Sequence, residues 1–422
     1  MDLDAVLGRI KREDVIELAL ALGNVDSPHG QEAEVAGYIY DWLASNGFAP
    51  RKIGLVPERP SVVATLRGSG GGYSLLFNSH MDTSTSADDV LTLRDPRAPQ
   101  YHSAWLDGDE IVGDGIVNDK GPMAAFLIAA RAIKDAGAPL LGDLIVTAVP
   151  GEIGVEPVDE WQGLEHVSKD LGARYMVNHG VVADYAVVAE GTGFGLVWVE
   201  AGKAHFKITI YTDTASYYTP YLPARTTMAE APNAVLRAYP FLQAFERWAT
   251  EYEQRFRYES PGGTVIPKAS VNAIRGGTPT RCTQSPQLCH LYADVRLIPN
   301  QDVLAVKAEL EELLRASGTS GEVELFLYRR GYEAQGVERL AETIRRCHAE
   351  VFDTPPATVS PAVSSMWRDT NIFIEMGIPA VSYAPRSATH ATRRSMKAEW
   401  LYEAAQVYAR IALDLCNQRK ER

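Results

Sequence analysis

The sequence predicts an α/β protein in which a helix-flanked sheet is interrupted by a smaller α+β unit. Two patterns predict it: strand, helix, strand alternation before residue 200, resumed after 325 as helix, strand, helix, and a run of alternating strands between them. The length of 422 residues also exceeds what one hydrophobic core serves well, which favours two domains. The expected division is 1–200 with 326–422 as the main domain, and 201–325 as an insert.

Taken in order, residues 13–47 carry apolar positions at three- and four-residue spacings on either side of Pro28-His29-Gly30, which predicts two helices around a turn. SVVATLRG and YSLLFNSH read as strands, GPMAAFLIAARAIKDAG as a buried helix ending at glycine, and DLIVTAVP as the next strand. That order implies parallel pairing. DYAVVAEG is a further apolar run, and LVWVEAG and HFKITIYT alternate in the manner of antiparallel strands. Within the insert, APNAVLRAYPFLQAFERWATEYE and QDVLAVKAELEELLRAS predict helices, with HLYADVRLIP a strand between them. ERLAETIRRCHAEVF is amphipathic, IPAVSYAP is a strand, and EWLYEAAQVYARIALDLC is a closing helix expected to return to the first domain.

A net charge of −13 would repel phosphate backbones and anionic lipid, so nucleic-acid and membrane partners are not expected. The first residues, MDLDAVLGRIKREDV, lack the apolar core of a signal peptide, and four scattered cysteines without a C-x-x-C pair fit a reducing compartment. A cytoplasmic enzyme is the expectation. Cys347 and His348 are neighbours on a helix and point apart, which argues against a nucleophilic pair.

The unusual polar residues fall at strand ends. His80 and Asp82 follow YSLLFNS, Asn118 and Asp119 close the turn GDGIVNDKG, Glu152 follows TAVPG, Glu190 follows DYAVVA, and His390 lies beyond VSYAPRSAT. Ligands bind outside the carboxyl ends of parallel strands, where all five segments deliver polar groups. An H-x-D pair lets an aspartate hold one imidazole nitrogen and leave the other to a cation. A mixture of histidine, carboxylate and amide suits zinc, manganese or cobalt.

HMDT, GDGIVNDKG, GEIG, AEGT and a late histidine occur in an order and spacing that resembles the aminoacylase, carboxypeptidase G and succinyl-diaminopimelate desuccinylase family over nearly the whole chain. The resemblance implies a zinc-exopeptidase-like mixed sheet flanked by helices, with the insert acting as a lid and dimerisation module, and VNAI and ADVRLIP among its strands. It further implies a homodimer or higher homo-oligomer, and two metals sharing a bridging aspartate beside a glutamate that activates water.

The chain departs from that pattern. Two residues before Lys120, where the bridging aspartate belongs, stands Asn118, and a neutral amide offsets no charge between two dications. The paired glutamates read Gly151 and Glu152, so the usual base is missing, and the lid's histidine gives way to TDTASYYTP around Ser216. The acid four residues after the last metal histidine is Arg394.

The expected site is therefore one divalent transition metal held by His80, Asn118 and Glu190, with Asp82 orienting His80, Glu152 as base or proton shuttle, and His390 donating to substrate. A metal shared by Glu152, His390 and Asn118 is the alternative. Tyr217 and Tyr218 suggest a flat aromatic substrate, and Arg225, Arg368 and Arg386 are candidates for its anionic groups. The expected reaction is deamination of a small anionic aromatic amine such as 5-nitroanthranilate. The alternatives are an amidohydrolase, aminoacylase or exopeptidase acting on N-acyl amino acids or short peptides, and a non-catalytic metal- or ligand-binding scaffold.

Overall fold

The apolar runs on either side of residue 200 pair in separate sheets. The computed structural model describes residues 3–89, 95–224, 227–389 and 393–421. They form two compact units, Met1–Trp198 with Ala334–Val359 and Arg368–Arg422, and Val199–Glu333 with Ser360–Trp367. The chain leaves the second unit later than the sequence boundary at 325, because Gly321–Arg329 pairs with Gly202–Tyr211 along its length.

The first unit is built on six strands in the order Arg51–Ile53, Ser61–Leu66, Leu144–Val149, Leu75–His80, Tyr185–Val188, Ala380–Ser382. The last four run parallel and the first two antiparallel, so the sheet is mixed. Leu75–His80 and Leu144–Val149 are buried at every position, as strands covered on both faces must be; Leu144–Val149 is apolar at all but Thr147, and Leu75–His80 turns polar from Asn78 onward. The helix Gly121–Asp135 is buried along most of its length because it lies between sheet and outer helices, packing on Arg12–Gly23 and Ala398–Cys416. Its alanines let these elements approach closely. Phe126 stacks on Phe77 at 5.8 Å between ring centroids, and Tyr408 meets Phe77 edge-on at 5.2 Å. A small antiparallel sheet of Ala388–Thr389, Arg394–Lys397, Glu110–Val112 and Trp105–Asp107 flanks the turn that opens the buried helix. The N–H of Gly113 donates to Arg394 O at 3.0 Å and so ties that turn to the small sheet.

The second unit holds four antiparallel strands in the order Ala269–Gly276, Leu288–Leu297, Gly202–Tyr211, Gly321–Arg329. Leu288–Leu297 alternates buried and partly exposed residues, the period-two pattern of a sheet with one face packed. The helices Ala234–Arg255 and Val303–Ala316 share its core, and each begins on a side-chain cap: Asn233 Oδ1 accepts from the N–H of Val235 at 3.0 Å, and Asp302 Oδ1 from that of Leu304 at 2.8 Å. LVWVEAG yields only the short strand Val199–Glu200, which pairs with Tyr332–Glu333. Among the described residues no helix is long and apolar enough to cross a membrane.

Candidate metal centre

Parallel pairing places the ends of neighbouring strands side by side, with His80 opposite Val149 and Asn78 opposite Val188. The residues that follow these ends converge. His80 is 1% exposed, and its Nδ1–H donates to the backbone oxygen of Asp82 at 2.9 Å. Because that acceptor is a carbonyl, the proton sits on Nδ1 and Nε2 is left for a cation. The carboxylate of Asp82 stands 3.6 Å from the ring and takes its nearest bonds from the main-chain N–H groups of Glu152 at 3.1 Å and Ile153 at 2.8 Å. Asp82 thus orients His80 chiefly through its carbonyl, while its side chain fixes the turn that carries Glu152. Burial alone would raise the Asp82 carboxyl, but the imidazoles of His29 and His80, 3.9 and 3.6 Å away, hold it well below the usual range.

The turn before the buried helix supplies the next groups. Non-helical backbone at Asn118 and Asp119 lets both side chains face the strand ends. Asn118 Oδ1 lies 3.3 Å from His80 Nε2. Asp119 is fully buried; Ser79 Oγ donates to its backbone oxygen at 3.0 Å and to Oδ2 at 3.3 Å, whereas Oδ1 is buried without a partner. Glu190 has Oε1 3.3 Å from Arg368 Nε, and Oε2 likewise buried without a partner. His80, Asp119 and Glu190 each offer an atom within 4.8 Å of the others'.

A buried imidazole and two buried carboxylates grouped this closely, each carboxylate with one oxygen left without a partner, fit a divalent cation in the zinc or manganese class. Burial, with Glu152 nearby, raises the carboxyls of Asp119 and Glu190. Burial opposes charge on His80, yet Asp82, Asp119 and Glu152 raise it. All three shifts say that the cluster favours added positive charge, which protons supply when a cation does not.

Beside this cluster lies a second buried pair. Glu152 Oε2 is 3.9 Å from His80 Nε2, and Glu152 Oε1 accepts a hydrogen bond from the ammonium of Lys169, whose side chain is 4% exposed. Lys169 follows a loop pinned by Arg59, which donates to the backbone oxygens of Leu164 at 3.1 Å and Val167 at 2.7 Å. The same guanidinium forks onto Glu32 at 2.9 and 2.7 Å. Gly151 abuts this loop with φ +72°, and a Cβ there would stand 2.7 Å from Ser168 O. Position 151 therefore excludes a side chain. Beneath the pair, Asp369 accepts from Asn78 Nδ2 at 3.0 Å, and burial followed by the charge of Glu152 pushes its carboxyl up to about 7.

A second grouping of His29, Glu32 and Asp82 has candidate ligand atoms equally close. Arg59 takes both Glu32 oxygens and the 152–153 amides take those of Asp82, so it reads as a bracing network and not as a metal site.

Of the residues expected from sequence, His80, Asp82, Asn118, Glu152 and Glu190 come together. His390 and Arg225 lie outside the described residues. Arg386 is exposed, its guanidinium 6.0 Å from the ring centroid of the buried Phe194. Arg368 is buried and pairs with Glu190, which does not suit it for a substrate anion. Tyr217 and Tyr218 belong to the second unit, where Tyr217 N–H donates to Ser285 Oγ at 2.9 Å and Tyr218 is 50% exposed. Asp119, Lys169 and Asp369 were not among the expected site residues. Asp119 was visible as the acid next to Asn118, whereas nothing in the spacing of Lys169 marks it.

The family model for peptidase family M20/M25/M40 matches residues 76–414. The N-formyl-4-amino-5-aminomethyl-2-methylpyrimidine deformylase of Bacillus subtilis is 24% identical, over 97% of this chain and 96% of the relative. Among solved structures, a tripeptidase from Staphylococcus aureus superposes with TM-score 0.71 at 18% identity, covering 97% of this chain and all of that one. A dinuclear metal-binding peptidase of Bacillus subtilis superposes with TM-score 0.60 at 14% identity, covering 96% and 98% of the two chains.

Proposed function

Because the chain belongs to peptidase family M20/M25/M40, and so is a metal-dependent hydrolase of carbon–nitrogen bonds, we propose that it cleaves the amide bond of a small N-acylated amine with one divalent metal per chain. The observation that carries this reading is the clustering of His80, Asp119 and Glu190, each with a ligand atom within 4.8 Å of the others' and each carboxylate with one unpartnered oxygen, with Glu152 beside them. Zinc or manganese suits the donor set, with the Asn118 amide oxygen adjacent as a further donor.

A divalent cation bound there supplies an acidified water and polarises the scissile carbonyl. The chain's own residues do the rest. Glu152 keeps one oxygen on Lys169 and turns the other toward the His80 side of the cluster, where it takes the proton of the attacking water and returns it to the departing nitrogen. Lys169 holds that carboxylate in place. The Asp82 carbonyl keeps the His80 ring from turning, and the buried loop around Ser168 excludes water behind Glu152.

The likeness to a deformylase along nearly the whole chain favours a short acyl group, formyl foremost, on an aminomethyl heteroaromatic amine. Deamination of an aromatic amine such as 5-nitroanthranilate is the competing reading. Its support is the exposed ring of Tyr218 with Tyr217 beside it, and no residue of the carboxylate cluster favours it. For assembly, the edge strand Ala269–Gly276 is mostly exposed, with Ile274 54% accessible, and supports a homodimer paired along that edge.

The test is a panel of N-formyl and N-acetyl arylmethylamines, N-acyl amino acids, dipeptides and 5-nitroanthranilate given to the zinc- or manganese-loaded protein. Release of formate or another carboxylic acid together with a primary amine is expected. Ammonia without a carboxylic acid would overturn amide hydrolysis in favour of deamination.

A further inference from the structure

In dinuclear hydrolases two dications lie within a few ångströms of each other, and shared carboxylates offset their repulsion. This chain has Asn118 where resemblance places the shared carboxylate, and it has an ammonium where few enzymes would bury one. Lys169 is 4% exposed, follows a loop fixed by Arg59, and bonds to the oxygen of Glu152 that points away from His80. Asp369 lies near enough for Lys169 to lower its carboxyl while Glu152 raises it. One ammonium thus serves two buried acids.

We propose that Lys169 supplies the charge of a second metal ion, so that Glu152 is an ion-pair partner and not a metal ligand, and the centre holds a single dication. The inference rests on the metal-dependent reading given above and deepens it. The physical argument is one of charge and space. A lone charge of +1 beside the bound dication halves the repulsion that a second +2 ion would bring at the same separation. An ammonium fixed by its own chain also carries no coordination sphere to fill. The ammonium on Glu152 Oε1 already places a positive charge on that side of the carboxylate and repels a further cation there. The Gly151–Ser168 contact closes the same corner, since no side chain can be added there to help hold another ion. Its other oxygen is left facing His80, where a base for water is needed.

Lys169 is accordingly a positioning residue acting through Glu152, and its signature is metal stoichiometry, which a merely structural lysine would not change. The experiment titrates zinc into metal-stripped protein by calorimetry and checks the end point by elemental analysis, with circular dichroism confirming the fold of each variant. Wild type and Lys169→Arg, which keeps the charge, are expected to bind one zinc per chain. Asn118→Asp alone restores the bridging carboxylate but retains the ammonium, and is expected to stay at one. Asn118→Asp with Lys169→Met removes the ammonium and is expected to bind two.

A second zinc in Asn118→Asp alone would overturn the proposal, because Lys169 would then not be what excludes it; this variant keeps the buried pair, so it remains decisive even if the methionine variant does not fold. A folded double variant that stays at one zinc would overturn it too. Wild type that binds two would do the same while leaving the hydrolase reading intact. Wild type that binds none would strike the metal-dependent reading itself and the role of Lys169 with it.

Discussion

A Cβ on Gly151 would stand 2.7 Å from the carbonyl oxygen of Ser168, on a backbone with φ +72°. The residue where related hydrolases carry a water-activating glutamate is, in this chain, a position that only glycine fits. Gly151→Glu is therefore expected not to restore a second base. It should destabilise the fold by about 1–3 kcal/mol from backbone strain, with the steric clash adding to this, and lower activity. Thermal melting together with turnover of the substrate found in the panel checks it; an active variant as stable as wild type would contradict the contact.

If Glu152 is the base and not a ligand, Glu152→Gln should lower kcat by roughly 10²–10⁴-fold with zinc content unchanged. Loss of zinc in parallel with activity would instead make Glu152 a ligand.

The loop bearing Lys169 is held by Arg59, whose fork on buried Glu32 leaves an uncompensated charge if the guanidinium is removed. Arg59→Met should cost about 3–5 kcal/mol of stability, and proteolysis should open the 164–169 loop first. Denaturant titration and limited digestion measure both.

Burial lifts Asp369 to about 7, above an unfolded value of roughly 3.9. A carboxyl raised in the fold stabilises it while protonated. The contribution is complete below about pH 4 and is lost as pH climbs through about 7. Asp369→Asn removes that titration and can still accept from Asn78. Its melting temperature relative to wild type, both metal-free, should therefore rise between pH 4 and pH 8. A difference independent of pH would contradict the raised carboxyl.

Much of this was legible in the sequence for a physical reason. Parallel strands buried on both faces show as continuous apolar runs, so the polar residues just past them, His80, Glu152 and Glu190, stand out as site candidates. Period two in Leu288–Leu297 and helical spacing in Glu338–Phe352 likewise marked the two kinds of element. That Asp119 joins Asn118 at the cluster was not legible, because it depends on the non-helical dihedrals of that turn, which spacing does not encode. Lys169 comes from a loop with no periodicity, and its partner lies 17 residues away in the chain. Arg368 was visible only as an arginine, and solvated surface is the usual place for one; burial against Glu190 is a tertiary fact.

Anomalous diffraction at the absorption edge of the bound metal tests the central claim most directly. One peak per chain is predicted among His80 Nε2, Asp119 and Glu190, with Glu152 still on Lys169. Two full-strength peaks with Glu152 coordinating one of them would contradict it.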